Sequence, residues 1–268
     1  MQFITLNNGV QMPIIGTGTN TYGKENNEFY GALKNEIPEL VSALALGYRS
    51  IDAAIMYQNE QLVGHVLATS NVPREQLFIT TKIPAGEDYT RSKEATRAAI
   101  DNSLQNFETN YLDLLLIHHP IENSEHLKNT WEVFEEYYEA GKLKAIGVSN
   151  FTKNLLDELG TYAKIKPAVN QIQINLKERN DELLAVLKEE GITPVAWGPM
   201  KVHDEQKEAL QQIGAAYNKT AAQVLLKYQI DRGIVVIPKS HNPKNQAANF
   251  DLFDFELSAA DKAKIDAL

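Results

Sequence analysis

Eight short runs rich in valine, isoleucine and leucine constrain the fold of this chain more than any other feature of its sequence. They lie at residues 14–17, 48–53, 77–82, 112–118, 145–149, 168–172, 193–197 and 234–238. Each run is nearly continuous in apolar residues, which is typical of parallel strands that are buried on both faces. Segments with helical periodicity separate the runs, and strands that alternate with helices favour a parallel sheet with right-handed crossovers.

The number of strands and the length of the chain favour a closed barrel over an open sheet. A (β/α)₈ TIM barrel uses eight parallel strands in about 250 residues, and this chain has 268. An open doubly wound sheet usually has fewer strands and often begins with the phosphate-binding motif G-x-G-x-x-G. Here Gly16 and Gly18 are followed by Thr21 where the third glycine would stand. No linker or break in composition divides the chain, so we predict one α/β barrel domain over residues 1–268.

Local patterns predict the elements around the barrel. Residues 3–6 and 10–12 flank Asn7-Asn8-Gly9, and Asn-Gly favours a tight hairpin turn, so we expect an N-terminal β-hairpin at the bottom of the barrel. Helical spacing of apolar residues predicts helices at residues 37–44, 100–107, 127–138, 181–190, 204–217 and 221–230. A last helix should begin at Ser258, because Asp261 follows it with the spacing of a capping box.

The composition excludes several classes of function. The chain has no cysteine, which excludes disulfides, iron–sulfur clusters, thiolate metal sites and cysteine nucleophiles, and we predict no metal site. Its 26 basic and 35 acidic residues give a net charge of −9, which disfavours nucleic acids and anionic membranes as partners. No segment approaches the roughly 18 apolar residues of a membrane-spanning helix, and the N-terminus lacks the pattern of a signal peptide. We therefore expect a cytoplasmic protein.

Polar and aromatic side chains follow nearly every predicted strand. Because the active site of such a barrel lies at the carboxyl ends of its strands, we expect these side chains on one rim. They are Asp52, Tyr57, Lys82, His118, His119, Ser149, Asn150, Asn170, Gln171, Trp197, Lys239 and Ser240. The sequence therefore predicts a functional site at this rim.

Four of these residues form a candidate proton-transfer set. Asp52, Lys82 and His118 each follow an apolar run, so their side chains should be partly desolvated and need partners. Aspartate and lysine pair by charge, and a cation near Tyr57 should lower the pKa of its hydroxyl and make it a usable acid and base. The alternative is structural: an ion pair that closes the barrel mouth, a packed tyrosine and hydrogen-bonded histidines.

Trp131 lies on an apolar helix face and is expected in the core.

Five segments, in this order and at this spacing, resemble the aldo-keto reductase family, and within it the short bacterial type that includes 2,5-diketo-gluconate reductase-like enzymes. The segments are Gly47-Tyr-Arg-Ser-Ile-Asp52-Ala-Ala-Ile-Met-Tyr57-Gln-Asn-Glu60, Leu77-Phe-Ile-Thr-Thr-Lys82, Leu112-Asp-Leu-Leu-Leu-Ile-His118, Gly141-Lys-Leu-Lys-Ala-Ile-Gly-Val-Ser-Asn150 and Ile237-Pro-Lys-Ser240. The resemblance runs from about residue 3 to the C-terminus and is highly specific.

The resemblance implies a role for each member of the proton-transfer set. Tyr57 is the general acid that protonates the substrate carbonyl oxygen while hydride arrives from a nicotinamide. Lys82, held by Asp52, lowers the pKa of the tyrosine, and His118 orients and polarises the carbonyl. Proton donation is thereby combined with stabilisation of a developing alkoxide.

The resemblance also implies a cofactor, NADPH, and the residues that bind it. These are Ser149, Asn150 and Gln171 at the nicotinamide carboxamide, Trp197 as the stacking platform under the ring, and Lys239 and Ser240 at the adenosine 2′-phosphate. Many family members have tyrosine in the place of this tryptophan, and either aromatic ring can stack. The implied function is an NADP(H)-dependent reduction of aldehydes, ketones or keto sugars. The expected partner is a small carbonyl substrate, and the protein is expected to be a monomer.

Departures from the family pattern bear on selectivity. Asn245 stands where the family commonly has an arginine that clamps the 2′-phosphate, so NADH is also possible; Lys244 or His241 could replace part of that clamp. His119 stands where a tryptophan often follows the catalytic histidine, which implies a more polar substrate pocket. Gln173 and its neighbours replace the Glu and His-Pro that relatives usually carry. The chain also ends at residue 268, which implies little C-terminal loop over the substrate and broad substrate selection.

Two other functions stay open at this point. One is a non-catalytic barrel that binds the nucleotide and reports redox state to a partner. The other is a lyase in which Lys82 forms a Schiff base, since a desolvated lysine at a strand end is a route to that chemistry. The lyase would leave Tyr57, Trp197 and the Lys239-Ser240 pair without a role.

Overall fold

The computed structural model describes residues 1 to 268 and arranges eight parallel strands in a ring. An antiparallel pair, β1 (Phe3–Thr5) and β2 (Gln11–Pro13), precedes the barrel strands β3 (Gly16–Gly18), β4 (Ser50–Asp52), β5 (Phe78–Ile83), β6 (Leu114–Ile117), β7 (Ile146–Ser149), β8 (Val169–Gln173), β9 (Thr193–Trp197) and β10 (Val235–Val236). Each barrel strand pairs with the next along the chain, and the ring closes where the Val236 amide donates to the Ile14 carbonyl at 3.1 Å. The predicted (β/α)₈ barrel is confirmed.

The N-terminal hairpin lies at the bottom of the barrel, as expected. Its turn places Gly9 at a φ of 87°, a conformation that glycine adopts without strain. The Asn7 side chain donates to the Pro167 carbonyl at 2.9 Å, and the Asn8 side chain donates to the Lys144 carbonyl at 2.9 Å. Because those carbonyls precede β8 and β7, the hairpin covers the amino-terminal ends of the strands and leaves the carboxyl ends open.

Helices surround the barrel. They are α1 (Pro38–Leu46), α2 (Glu60–Thr69), α3 (Glu87–Thr90), α4 (Lys93–Asn106), α5 (Ser124–Glu139), α6 (Lys153–Gly160), α7 (Asp181–Glu190), α8 (Asp204–Ala215), α9 (Ala221–Asp231), α10 (Pro243–Phe250) and α11 (Ala259–Asp266). All six helices predicted from periodicity are present. None of the helices has the length and apolar character needed to cross a membrane.

The helices that the sequence did not predict have weak local signals. In α2, Gly64 lowers the helix propensity of the segment. A glycine is required at this position because α4 packs so closely against it that a Cβ on residue 64 would lie 2.0 Å from the Asn106 carbonyl oxygen. Helices α6 and α10 have eight residues each, too few turns to show a clear period. The predicted start of α11 is confirmed: the Ser258 hydroxyl accepts from the Asp261 amide at 3.1 Å, while the Ser258 amide bonds to the Tyr217 hydroxyl.

The core forms between the strands and the inner faces of the helices. All residues of β4, β5, β6 and β7 are buried, which explains their continuous apolar runs. Trp131 is fully buried and its indole donates to the Ile165 carbonyl at 3.2 Å, so the prediction that it belongs to the core is confirmed. Polar residues within these buried strands, such as Lys82, therefore need partners at the open end of the barrel.

Candidate active site

The carboxyl ends of the strands surround a cavity of about 590 Å³. Its lining comprises Gly18, Asn20, Asp52, Tyr57, His118, His119, Ser149, Asn150, Gln171, Trp197, Gly198, Pro199, Met200, Lys201, Ile237 and Lys239. Eight of the ten residues predicted as catalytic or cofactor-binding lie in this lining. Of the other two, Lys82 lies against the Tyr57 hydroxyl, and Ser240 lies outside the lining.

Lys82 is fully buried and all three of its N–H donors have partners. Its ammonium lies 2.6 Å from Asp52 Oδ1, 2.8 Å from the Ala53 carbonyl oxygen and 3.4 Å from the Tyr57 hydroxyl. Burial lowers the pKa of Lys82, but the charge of Asp52 and the nearby Tyr57 outweigh it and leave the pKa raised. Lys82 is therefore a fixed cation beneath the tyrosine hydroxyl.

Asp52 holds this cation and is itself held by Gln171. The Gln171 side chain donates to Asp52 Oδ2 at 2.7 Å, while Oδ1 accepts from Lys82. Both carboxylate oxygens are thus used, and the side chain is 4% exposed. Gln171, predicted only as a contact for the cofactor, also orients the buried ion pair.

Tyr57 stands on a short 3₁₀ turn, Ile55–Tyr57, that follows β4 and carries its hydroxyl over the barrel mouth. Burial raises the pKa of Tyr57, and the charge of Lys82 opposes this only in part. The expectation that Lys82 would bring the pKa down toward neutral is therefore not met in this structure, because desolvation is the larger effect. The Tyr57 hydroxyl is protonated at neutral pH and can serve as a proton donor.

His118 follows β6 and packs edge-on to Tyr57, with 5.8 Å between ring centres. Burial, together with the nearby Lys82, lowers the pKa of His118 to about 2. Its neighbour His119 lies parallel to it at 4.6 Å, and burial also lowers the pKa of His119. Both imidazoles are neutral near pH 7, so each carries one N–H donor and one acceptor nitrogen.

These pKa directions predict the pH profile of the reaction at saturating substrate. The rate constant kcat for reduction should show no inflection near pH 6.5, the ordinary pKa of histidine, because His118 stays neutral from acidic to alkaline pH. It should fall only above about pH 10, the ordinary pKa of tyrosine, because Tyr57 must be protonated to donate and its pKa is raised. A profile of kcat from pH 5 to 10.5 tests this; a His118→Asn profile serves as the control. An inflection near neutrality that disappears in that variant would contradict the assignment.

Ser149, Asn150 and Trp197 form a hydrogen-bonded arc on the opposite side of the cavity. The Trp197 indole donates to Asn150 Oδ1 at 3.0 Å, and Asn150 Nδ2 donates to Ser149 Oγ at 3.0 Å. The Asn150 backbone has a φ of 62°, which asparagine tolerates better than most residues. Near the Trp197 ring, the Lys201 ammonium lies 5.2 Å from the ring centre, so stacking on that face requires Lys201 to move.

Lys239 is a half-buried cation with no carboxylate partner. Its ammonium donates to Thr21 Oγ1 at 2.6 Å, and burial lowers the pKa of Lys239. Thr21 Oγ1 also lies 2.8 Å from His241 Nε2, and His241 Nδ1 lies 2.8 Å from Glu39 Oε1. An ammonium that faces the cavity without a counter-charge is suited to bind an anionic group of a ligand.

Four other residues near the expected 2′-phosphate site do not face the cavity as Lys239 does. The Ser240 hydroxyl accepts from the Asn242 amide at 3.1 Å, so it closes a local turn outside the cavity lining. His241 is occupied by Thr21 and Glu39. Asn245 and Lys244 are exposed on the first turns of α10. Within this region, Lys239 is therefore the cation that faces the cavity.

A family model identifies the chain. The model for the aldo/keto reductase family matches residues 14–268, which include every residue of the cavity described above. The chain belongs to the aldo/keto reductase family. It is therefore an NAD(P)H-dependent oxidoreductase, and reductases of this family act on small carbonyl compounds.

Individual aldo/keto reductases match this chain over nearly their full length. The glyoxal reductase of Bacillus subtilis (strain 168) is 43% identical over 267 residues, covering 99% of this chain and 92% of the relative. Morphine 6-dehydrogenase of Pseudomonas putida is 35% identical over 279 residues, covering 99% of this chain and 90% of the relative. Among solved structures, an aldo/keto reductase of Brucella melitensis superposes with a TM-score of 0.89 at 33% identity, covering 99% of this chain and 98% of that one. A Bombyx mori aldo-keto reductase in complex with NADP superposes with a TM-score of 0.87 at 31% identity, covering 100% of this chain and 93% of that one.

Two polar residues of this aldo/keto reductase site were not predicted from the sequence. Asn20 and Thr21 follow the first barrel strand, so the rule that found the other rim residues applies to them too. In the sequence, this segment stands out only as an incomplete glycine-rich motif. Thr21 in particular holds the Lys239 ammonium.

Glu60 is a buried carboxylate next to the site that the sequence also did not reveal. It accepts from Thr81 Oγ1 at 2.5 Å, from Ser103 Oγ at 3.1 Å and from Asn106 Nδ2 at 3.1 Å. Burial raises the pKa of Glu60, and these hydrogen bonds oppose the shift. Because Thr81 precedes Lys82 on β5, Glu60 ties the start of α2 to the strand that carries the lysine.

Proposed function

We propose that this protein reduces aldehydes, ketones or keto sugars to alcohols with NADPH, with Tyr57 as the proton donor. One observation carries the proposal: the Tyr57 hydroxyl lies at a large cavity, 3.4 Å from a buried ammonium that is itself fixed by Asp52. A hydroxyl so placed can give its proton to a carbonyl oxygen while the adjacent cation stabilises the negative charge that develops.

The residues of the site fit a nicotinamide dinucleotide. The Lys239 cation has no carboxylate partner, which suits a phosphate, and Trp197 adds an aromatic ring to the same lining. When bound, the cofactor supplies the hydride. Lys239 would hold the 2′-phosphate, and Trp197, Ser149, Asn150 and Gln171 would hold the nicotinamide end.

The side chains of the protein then donate the proton and stabilise the negative charge that develops. Tyr57 donates its proton to the substrate oxygen, and Lys82, 3.4 Å from the tyrosine oxygen, stabilises the phenolate that results. Asp52 and Gln171 keep the ammonium in place during this change. His118, which is neutral, donates its N–H to the same substrate oxygen and orients the carbonyl without adding a positive charge that would compete with Lys82.

The state of Lys82 argues against the lyase alternative. Schiff-base formation requires a neutral amine that can reach the substrate. The Lys82 ammonium has three hydrogen-bond partners, its side chain is fully buried and its pKa is raised. A lysine in this environment stabilises charge rather than acting as a nucleophile.

A substrate panel tests the proposed function. Small aldehydes, ketones and keto sugars would be mixed with the protein and NADPH or NADH, and oxidation of the cofactor would be followed by its absorbance. We expect aldehyde-dependent oxidation of NADPH that exceeds oxidation of NADH. Tight binding of NADPH with no turnover of any compound would instead support the non-catalytic redox sensor.

Replacing the exposed Asn245 by arginine is expected to increase the preference for NADPH over NADH. Asn245→Arg should tighten NADPH binding by roughly three- to tenfold, about 0.7 to 1.4 kcal/mol, because a charge contact at this exposed position is screened by solvent, and should leave NADH binding nearly unchanged. Lys239→Met is the converse control and should weaken the binding of NADPH but not that of NADH. Dissociation constants for both cofactors, measured by quenching of tryptophan fluorescence, test this. Equal effects of Asn245→Arg on both cofactors would mean that position 245 does not face the 2′-phosphate.

A further inference from the structure

A continuous chain of hydrogen bonds leads from the cavity to helix α1. The Lys239 ammonium lies 2.6 Å from Thr21 Oγ1. Thr21 Oγ1 also lies 2.8 Å from His241 Nε2, and His241 Nδ1 lies 2.8 Å from Glu39 Oε1. The second carboxylate oxygen of Glu39, Oε2, is buried and has no hydrogen-bond partner. The chain therefore has a cation at the cavity, an incompletely satisfied carboxylate at its far end, and a titratable imidazole between them.

The donors and acceptors of this chain can be satisfied in two ways, which differ in the protonation of His241. The Lys239 ammonium can only donate, so Thr21 Oγ1 accepts from it, and the Glu39 carboxylate can only accept, so His241 Nδ1 carries a hydrogen. When His241 is neutral, its Nε2 has a lone pair and the Thr21 hydroxyl donates to it. When His241 is protonated, Nε2–H donates to Thr21 Oγ1, and the hydrogen of that hydroxyl is available to another acceptor.

The groups that face His241 allow both of these states. The Tyr22 ring packs edge-on against it, with 5.5 Å between ring centres, and burial raises the pKa of Tyr22, so the tyrosine stays neutral. The charged groups of the network are Glu39, in direct contact, and Lys239, one hydroxyl away. Lys244, on the same segment as His241, is exposed. The His241 side chain is 24% exposed, so a proton from solvent can reach it.

From this chain of hydrogen bonds we infer that His241 takes up a proton when the 2′-phosphate of the cofactor binds at Lys239, and that this protonation favours NADPH over NADH. The inference rests on the proposed function and concerns how its cofactor is selected. A phosphate dianion brings two negative charges, and Lys239 neutralises one of them. The proton passes from solvent to His241 Nε2, which donates to Thr21 Oγ1, and the hydroxyl hydrogen of Thr21 turns to the phosphate.

Proton uptake at His241 gives NADPH binding a pH dependence of known sign. If the complex holds more protons than the separate partners, the affinity falls as the pH rises. A phosphate monoester loses its second proton near pH 6 and is a dianion above about pH 7, whereas an ordinary histidine titrates near pH 6.5. Between pH 7 and 8.5 the dissociation constant of NADPH should therefore rise roughly tenfold, and that of NADH should change less than about twofold.

Calorimetric titrations with the two cofactors count the proton directly. NADPH or NADH would be titrated into the intact protein at about pH 7.5, one unit above the ordinary pKa of histidine, in two buffers of different ionisation enthalpy. The difference in heat between the buffers gives the number of protons taken up. We expect NADPH to take up roughly 0.5 to 1 proton more than NADH. The two cofactors differ only in the 2′-phosphate, so this comparison tests the inference on the unaltered protein.

A pair of variants assigns the proton to His241. His241→Gln retains a hydrogen-bond donor and an acceptor but cannot be protonated, so the extra proton with NADPH should disappear and its dissociation constant should no longer rise with pH. His65→Gln makes the same change at an exposed histidine of α2 and should behave as the unaltered protein. Lys239, whose pKa burial lowers, is the other group that could take up a proton. It is intact in His241→Gln, so uptake that persists in that variant would overturn the inference.

The proposed function can fail separately from this inference. If the protein binds NADPH with the extra proton but reduces no carbonyl compound, the proposed catalysis is wrong and the role of His241 stands. If it reduces aldehydes but takes up the same number of protons with NADPH and with NADH, only the role of His241 is wrong. A protein that does not bind NADPH would overturn both.

Discussion

Replacing Tyr57 by phenylalanine is expected to lower kcat for aldehyde reduction by roughly a thousandfold. A positioned general acid contributes about 10²- to 10⁴-fold to a rate, and here the hydroxyl is the proton donor closest to the fixed cation, 3.4 Å from Lys82. Phenylalanine retains the ring, which packs edge-on against His118. The loss should therefore be chemical, with the shape of the cavity preserved.

Binding and stability measurements distinguish this loss from a structural defect. The dissociation constant for NADPH should change less than about threefold, because the cofactor contacts proposed for Lys239 and Trp197 do not involve the tyrosine hydroxyl. The melting temperature should also stay close to that of the unaltered protein. Residual turnover above about a tenth of the original rate would show that another group donates the proton.

Lys82→Met is expected to abolish activity and also to destabilise the fold. The Lys82 and Asp52 side chains are 0% and 4% exposed, so removing the lysine leaves a carboxylate buried without its counter-charge. Breaking a buried ion pair in this way typically costs about 3 to 5 kcal/mol. Reduction should fall by at least 10²-fold, because the phenolate of Tyr57 would form without the adjacent cation.

A second substitution separates the two effects of Lys82→Met. In the double variant Asp52→Asn with Lys82→Met, position 52 no longer carries a charge that lacks its partner, and an asparagine can still bond to Gln171. The free energy of unfolding, measured by urea denaturation, should recover by at least about half of the loss, while activity stays absent. If Lys82→Met leaves the free energy of unfolding unchanged, the pair is not desolvated as described.

The sequence predicted those parts of the molecule that have a repeating or local signal. Continuous apolar runs gave the eight strands because a buried parallel strand must be apolar on both faces. The rule that active sites lie at the carboxyl ends of barrel strands then predicted that Tyr57, Lys82 and His118 lie close together. Membership of the aldo/keto reductase family agrees with the fold and the reaction class; the individual roles of the site residues stay predictions.

Contacts that join distant parts of the chain could not be predicted. Glu39 belongs to α1, and no local pattern shows that its carboxylate meets His241, 202 residues later. The sequence indicates that Lys82 lies near Tyr57 and so predicts a lowered pKa for the tyrosine. It does not show how deeply Tyr57 is buried, and burial outweighs the effect of Lys82 and raises the pKa. Ser240 matched its motif, yet its hydroxyl closes a turn with Asn242.

One isotope experiment tests the central claim most directly. The protein would be incubated with an aldehyde and NADPH that carries deuterium at both C4 positions of the nicotinamide, and the alcohol product would be examined by mass spectrometry. We predict one deuterium on the former carbonyl carbon, and no labelled alcohol from Tyr57→Phe within the same time. An unlabelled product, or an adduct on Lys82 that borohydride traps, would contradict hydride transfer with Tyr57 as the acid.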